Sequence, residues 1–278
     1  MKRFFNFFAM AMCITLLILS FASCSPFMSA SSTKKAVDEF GIPQATMTLN
    51  FTTRAGNKFK YVITYDLLLD KTPVAVISFI NLVESGFYTD AIFDSYDASG
   101  HYFKAANYAY RKNADSDKPH GYVNVSGITI PGEFKTNNFR EPKDGYEQFS
   151  LLSLAMYHDN KAESFDSANG ALIVSTFTSS EDNKPLNYTN YAVFARMVSV
   201  AIYEGDSETA REYTRDNFNP NYLYNLTGQT LTTSCSMTNA SGDSESKTVL
   251  GSNGTPRFVF SIEMVDSGKD WSKLPKVN

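Results

Sequence analysis

The chain has 278 residues, of which 43% are hydrophobic, so it can form one large domain or two small ones around a substantial core. Aromatic residues make up 14% of the chain, with 22 Phe and 16 Tyr, and this content favours β-rich packing over a helical bundle. The formal net charge of −4 provides no basic face for nucleic acid, so we expect no nucleic-acid partner.

The N-terminal residues 1–23 predict a secretory signal peptide. Lys2 and Arg3 precede an apolar run over residues 4–21, and small residues then lead to Cys24. This ending resembles a bacterial lipoprotein signal, which implies that Cys24 carries a lipid anchor in the cell envelope, on the periplasmic or surface side of the outer membrane. An ordinary signal with an incidental cysteine is the alternative. A single-pass membrane helix is disfavoured, because the run is short and ends in small and polar residues.

A flexible tether is predicted between the anchor and the folded domain. Residues 24–44 are rich in Ser, Ala and Lys, a composition typical of linkers that hold a domain away from a membrane. The folded domain is predicted over residues 45–266. It contains an insertion at residues 219–256, rich in Asn, Ser, Thr and Gly, and is followed by a C-terminal tail at residues 267–278.

Short segments with period-2 alternation, or with dense aromatic and β-branched residues, predict strands. The last of them is the clearest, because Phe258, Phe260 and Ile262 share one face. We expect the strands to close into an antiparallel barrel, since closure removes exposed sheet edges. Eight strands are predicted in this way, at residues 46–51, 59–65, 91–93, 102–110, 149–156, 170–177, 191–198 and 257–265.

Two helices are predicted to cap this barrel. The first begins at Thr72, places Pro73 at the first helical position and ends at Gly86. The second is predicted over residues 207–218. The expected fold is therefore mostly β, a closed eight-stranded antiparallel barrel with two capping helices.

Five sequence words occur in a fixed order. The longest, DKTPVAVISFINLVESGFYTDAIF, begins at Asp70 and combines Lys-x-Pro, a helical Phe-x-x-Leu and Gly-x-Tyr. The others are IPGEF, LSLA, NGALIVSTF and YAVFARMV, which begin at Ile130, Leu152, Asn169 and Tyr191. In content and order these words resemble the cyclophilin-type peptidyl-prolyl cis-trans isomerases.

This resemblance implies a barrel that binds extended X-Pro segments on its outer face and speeds their cis/trans exchange without a cofactor or metal. The amide barrier is ~18–20 kcal/mol, so a catalyst must stabilise the twisted bond. In the family, an arginine two residues after a strand aromatic donates a hydrogen bond to the prolyl nitrogen. Here Phe93 is followed by Asp94 and Ser95. Ser95 thus stands at the arginine position, and we expect catalysis to be weak or lost.

The resemblance also locates a peptide-binding groove, although most of the family's residues are replaced there. Lys104 is the nearest basic side chain that could substitute for the arginine, followed by Arg111 and Arg140. The positions assigned to the groove are His101, Tyr102, Lys104, Met156, Leu172, Val174, Leu186 and Asn190.

Three functions are compatible with these features. The first is an exported isomerase-like protein that binds proline-containing segments and assists folding in the cell envelope. The second is a non-catalytic lipoprotein that binds peptides or an envelope protein on the same scaffold. The third is a surface-exposed, antigen-like lipoprotein whose fold is only a scaffold. His101, His120 and His158 are far apart and lack metal-ligand spacing, so we expect no metal site.

Overall fold

The structure is a computed structural model that describes residues 27–113, 116–127, 129–158, 166–177, 190–229 and 231–275. The predicted signal peptide, Cys24 and Leu186 lie outside the described residues. Among the described residues, no helix is both long and apolar enough to cross a membrane.

Eight antiparallel strands close into a barrel, as predicted. Their order is β4-β3-β13-β1-β2-β8-β6-β7, and β7 pairs back with β4 to close the sheet. The strands of the described chain are β1 (Gln44–Thr52), β2 (Lys58–Leu67), β3 (Ala91–Asp97), β4 (Tyr102–Asn113), β5 (Ser116–Val123), β6 (Leu154–Met156), β7 (Leu172–Ser175), β8 (Val193–Glu204), β9 (Arg211–Thr214), β10 (Thr232–Thr238), β11 (Ser244–Ser252), β12 (Thr255–Pro256) and β13 (Phe258–Met264).

The barrel interior is filled by the alternating apolar residues of its strands. Side chains along a strand point to opposite faces, so every second residue of β1 enters the core. The first and last barrel strands of the chain are neighbours, and their inward residues lie directly opposite one another. These pairs are Met47 with Ile262, Leu49 with Phe260, and Phe51 with Phe258.

Within the described part of the chain, three helices accompany the strands: α1 (Ala30–Phe40), α2 (Pro73–Glu84) and α3 (Pro220–Thr227). The early helix is confirmed as α2, whose Val76 and Phe79 are fully buried in the barrel core. The late helix predicted over residues 207–218 is wrong. Part of that segment forms β9, which pairs with the edge of β8, and the helix begins only at Pro220.

Helix α2 is capped by a residue from a distant loop. Thr72 makes no side-chain cap. Instead, the Val74 amide donates to Glu133 Oε1 at 2.9 Å and the Ala75 amide donates to Oε2 at 2.8 Å. Glu133 is 1% exposed, and this burial outweighs the two hydrogen bonds and raises the pKa of its carboxyl to about 8. One buried carboxyl group therefore joins the IPGEF loop to the helix.

The predicted flexible tether requires a correction. Residues 30–40 form α1, and Ser29 caps this helix by accepting a hydrogen bond from the Ser32 amide. Phe40 is buried and stacks on Trp271, with ring centroids 5.8 Å apart. The apolar residues of α1 thus hold it against the barrel, and the predicted tail supplies part of its packing surface.

The predicted insertion, residues 219–256, is also more ordered than a loop. It contains α3 and the hairpin of β10 and β11. We call this hairpin the flap. The flap joins β5 through a parallel pairing of Met237 with Gly121. Its inward side chains, including Val249, pack on Ile92 at the outer face of β3. The barrel wall beside Ser95 is therefore partly covered.

Candidate functional site

A single row of paired residues crosses five strands on the outer face of the barrel. We call Ser95, Lys104, Ile173, Ala155 and Val193 the outer row. Each is the direct partner of the next, from β3 through β4, β7 and β6 to β8. Neighbouring strands lie about 4.8 Å apart, so the row is roughly 19 Å long. An extended peptide of about six residues has the same length.

The outer row changes from polar to apolar along its length. Ser95 is exposed and Lys104 is half-buried, whereas Ile173 and Ala155 are fully buried. The apolar part forms a cluster distinct from the barrel core. Four side chains of this cluster come from outside the row, namely Leu68, Phe149, Phe177 and Tyr191, and the half-buried Tyr102 and Tyr157 pack against it. A peptide on this face would meet aromatic side chains next to a polar end.

Lys104 is the basic group beside Ser95. Its ammonium lies over the Tyr157 ring, with Nζ 3.8 Å from the ring centroid. This is a cation–π geometry, which holds the charge on the aromatic side of the row. Ser95 itself offers only a neutral hydroxyl where the resemblance places an arginine.

The other two basic candidates lie elsewhere. Arg111 is seven residues further along β4, roughly 20 Å from Lys104, and its guanidinium donates to Asn124 Oδ1 at 3.2 Å. Arg140 lines a separate cavity of about 950 Å³ beside α1 and the start of α2. Neither arginine can take the place of the missing one at Ser95.

The predicted groove is corrected at three positions. Met156, Leu172 and Val174 are buried in the barrel core and do not face the outer surface. Because side chains alternate along a strand, the outward positions of β6 and β7 are Ala155 and Ile173 instead. Both faces of these strands are apolar, so the sequence pattern did not distinguish one face from the other.

His101 and Tyr102 flank the outer row. The His101 carbonyl accepts a hydrogen bond from the Thr176 amide at 2.8 Å, and its exposed imidazole lies 5.4 Å from the Phe177 ring. Tyr102 is half-buried, and burial raises the pKa of its hydroxyl, with Asp97 nearby acting in the same direction.

Asn190 lies at the opposite end of the row, next to Tyr191. Its carbonyl accepts a hydrogen bond from His158 Nε2, and its side-chain oxygen accepts one from the Thr136 hydroxyl at 3.0 Å. The structure therefore brings His101, Tyr102 and Lys104 together at the polar end and leaves Asn190 at the apolar end.

Sequence reasoning missed the aromatic residues that cover the row. Phe149, Phe177 and Tyr191 each stand at one end of a predicted strand. The sequence did contain a signal for this cover, namely an aromatic residue at one end of each of three strands that pair side by side. No group of three or more metal-ligating side chains occurs among the described residues.

Comparisons with known proteins place cyclophilin-type structures among the proteins similar to this chain. No protein-family model matches the chain, and no curated protein sequence matches it. A cyclophilin-type peptidyl-prolyl cis-trans isomerase from Cryptosporidium parvum is 12% identical, covering 77% of this chain and 97% of its own, with a TM-score of 0.35. The same protein in the presence of the dipeptide Ala-Pro is 13% identical, covering 76% and 97%, with a TM-score of 0.34.

A third structure, cyclophilin AquaCyp293 from Hirschia baltica, is 14% identical, covering 62% of this chain and 71% of its own, with a TM-score of 0.29. The closed eight-stranded barrel is established by the strand pairing of the chain itself. Membership of the cyclophilin family stays a prediction.

Proposed function

We propose that the protein is an exported, lipid-anchored peptide-binding module on a cyclophilin-like barrel. It binds proline-containing extended segments, assists folding in the cell envelope and has weak or no isomerase activity. The outer row is the observation that carries this proposal. It combines the length of an extended peptide with an apolar aromatic surface and a polar end.

The chemistry of the row supports binding more than catalysis. The half-buried rings of Tyr102 and Tyr157 offer faces on which a proline ring can pack. The Ser95 hydroxyl can hydrogen-bond a peptide amide group. A catalyst must position its donor relative to the prolyl nitrogen with an accuracy of well under 1 Å, whereas the Lys104 ammonium is directed to Tyr157.

Peptide binding is tested by NMR titration of the ¹⁵N-labelled protein with acetyl-Ala-Ala-Pro-Ala-amide. We expect the amide signals of Ser95, Lys104 and Tyr157 to shift. Tyr157→Ala should weaken binding about tenfold, because it removes an aromatic contact and frees the Lys104 ammonium.

Tyr203 provides a matched control, because it carries Lys60 in the same geometry, with Nζ 3.9 Å from its ring centroid. It lies on β8 and outside the outer row. Tyr203→Ala should leave the affinity unchanged. Equal weakening by the two substitutions, or no shift near Ser95, would contradict a peptide site on the outer row.

The lipid anchor is tested by metabolic labelling in a bacterial host. We expect palmitate to be incorporated into the wild-type chain and not into Cys24→Ala, because lipidation requires the thiol of that residue. Cys235→Ala is the control, since Cys235 is buried on the inward face of the flap. Labelling that persists in Cys24→Ala would rule out the proposed anchor.

A further inference from the structure

The pairing of β3 with β4 is irregular beside Ser95. Ala91 lies opposite Ala109, Phe93 opposite Ala105, and Ser95 opposite Lys104. Strand β4 therefore has two extra residues in its bulge, and β3 then has one extra residue at Asp94. In the β4 bulge, Ala106 takes a left-handed conformation with φ of 71°, which is uncommon for a residue other than glycine. A strained backbone of this kind persists only where the surrounding structure holds it.

The Asp94 carboxyl group supplies a contact that holds this backbone. Its Oδ2 accepts hydrogen bonds from the Asn107 side-chain amide at 2.7 Å and from the Asn107 backbone amide at 3.1 Å. Asp94 lies in the bulge of β3 and Asn107 in the bulge of β4, so one carboxylate oxygen ties the two irregularities together. Asp94 is only 6% exposed, and its Oδ1 has no hydrogen-bond partner among the described residues.

The paired bulges determine which side chains face outward at the polar end of the outer row. A register slip of one residue moves a side chain to the opposite face of a sheet. The extra residue at Asp94 lets Ser95 face outward beside Lys104 while Phe93 and Tyr96 pack with the core. The tie between Asp94 and Asn107 therefore determines the position of Ser95.

Asp94 can change charge near neutral pH. Burial raises the pKa of its carboxyl to about 7, and the hydrogen bonds from Asn107 and the Lys104 charge act in the opposite direction. On β4, Lys104 and Tyr108 face the carboxyl. On β11 of the flap, Glu245 and Lys247 act on Tyr108 and pair with each other.

We propose that Asp94 is a pH-sensitive positioning residue: protonated, it holds the two bulges and presents Ser95 and Lys104 on one face, and ionised, it loosens them, because the buried charge favours an arrangement open to water. Oδ1 takes the proton, and Oδ2 then accepts from Asn107 as part of a neutral group. Hydrogen bonds to an ionised acceptor are about twice as strong as those to a neutral one, but burying the charge costs more than this gain, so ionisation weakens the tie. The effect on peptide binding rests on the function proposed above, whereas the effect on the bulges does not.

The bulges are followed directly through the Asn107 amide signals, recorded between pH 5.5 and 8.5. In the wild-type protein we expect both the backbone and the side-chain signals to titrate together with a midpoint near neutrality. Asp94→Asn should abolish this titration. Asp90→Asn is the control, because Asp90 directly precedes β3 and its side chain makes no described contact with Asn107. This substitution should leave the titration unchanged.

Peptide binding gives the second readout. The affinity of wild-type protein for acetyl-Ala-Ala-Pro-Ala-amide should fall about fivefold from pH 6 to pH 8, and that of Asp94→Asn should not depend on pH in this range. Constant Asn107 signals in the wild-type protein, or a pH dependence retained in Asp94→Asn, would overturn the proposal. Failure to bind peptide at either pH would refute the proposed function, while the Asn107 titration would still decide the role of Asp94.

Discussion

In a protease-coupled assay with an X-Pro peptide, we expect the catalysed rate of cis/trans exchange to be lower than that of ordinary cyclophilins by a factor of about 100 or more. Catalysis of this exchange requires a donor to the prolyl nitrogen as the amide twists. The Ser95 hydroxyl is shorter than an arginine and uncharged, and charge-assisted hydrogen bonds are about twice as strong as neutral ones. A loss of ~3 kcal/mol in stabilisation of the twisted state corresponds to more than two orders of magnitude in rate.

Replacing Ser95 supplies the reverse test. Ser95→Arg places a charged donor on the outer row, and we expect it to raise the rate at least about tenfold, which corresponds to ~1.4 kcal/mol. Ala98→Arg adds the same charge at an exposed position three residues away and should leave the rate unchanged. A wild-type rate within tenfold of ordinary cyclophilins would refute the loss of catalysis, and Lys104→Ala would then show whether Lys104 is the substitute donor.

Glu133→Ala is expected to lower the free energy of unfolding by about 2–4 kcal/mol. The substitution leaves the amides of Val74 and Ala75 without their acceptor at the buried start of α2. It also disconnects the IPGEF loop from the barrel. The measurement is chemical denaturation followed by circular dichroism.

Glu84→Ala is the matched control, because Glu84 is exposed at the other end of the same helix. Removing a negative charge from a helix C-terminus should change stability by less than about 0.5 kcal/mol and in the stabilising direction. Similar losses in both variants would show that Glu133 is not a specific cap.

The same carboxyl predicts how stability depends on pH. The folded protein raises the pKa of Glu133 from 4.5 to about 8, so it retains a proton that the unfolded chain releases within this window. The free energy of unfolding should therefore fall as pH rises from about 4.5 to 8, by at most about 1.4 kcal/mol per pH unit for one group. Glu133→Gln should remove the contribution of Glu133 to this pH dependence of the free energy of unfolding. Asp94 contributes in the same direction up to about pH 7.

The barrel could be predicted from sequence because its strands alternate or are dense in aromatic residues, and all eight predicted segments overlap a barrel strand. Helix α1 was missed because its residues are mostly Ser, Thr, Lys and Ala, and only Ala36 and Phe40 are buried. The late helix was misplaced because a charge-mixed segment gives no clear period. The flap was missed because Ser and Thr alternate with only a few apolar residues there.

The candidate site could be predicted only in part. The resemblance identified Ser95, Lys104 and Tyr102, which the structure places around one row. It could not separate Leu172 from Ile173, since both are apolar and only the pleat distinguishes their faces. Contacts between residues far apart in sequence, such as Glu133 with Val74, leave no local pattern and appear only in the folded chain.

Helix α1 has a consequence for where such a protein could work. If Cys24 carries lipid, only residues 25–29 separate the anchor from a helix packed on the barrel. Even fully extended, these residues span about 20 Å, whereas an unstructured stretch reaching to residue 44 would span about 70 Å. The outer row would then remain within about one domain diameter of the lipid surface. Its clients would be chains that emerge from, or lie along, the membrane, and distant proteins of the same compartment would be out of reach.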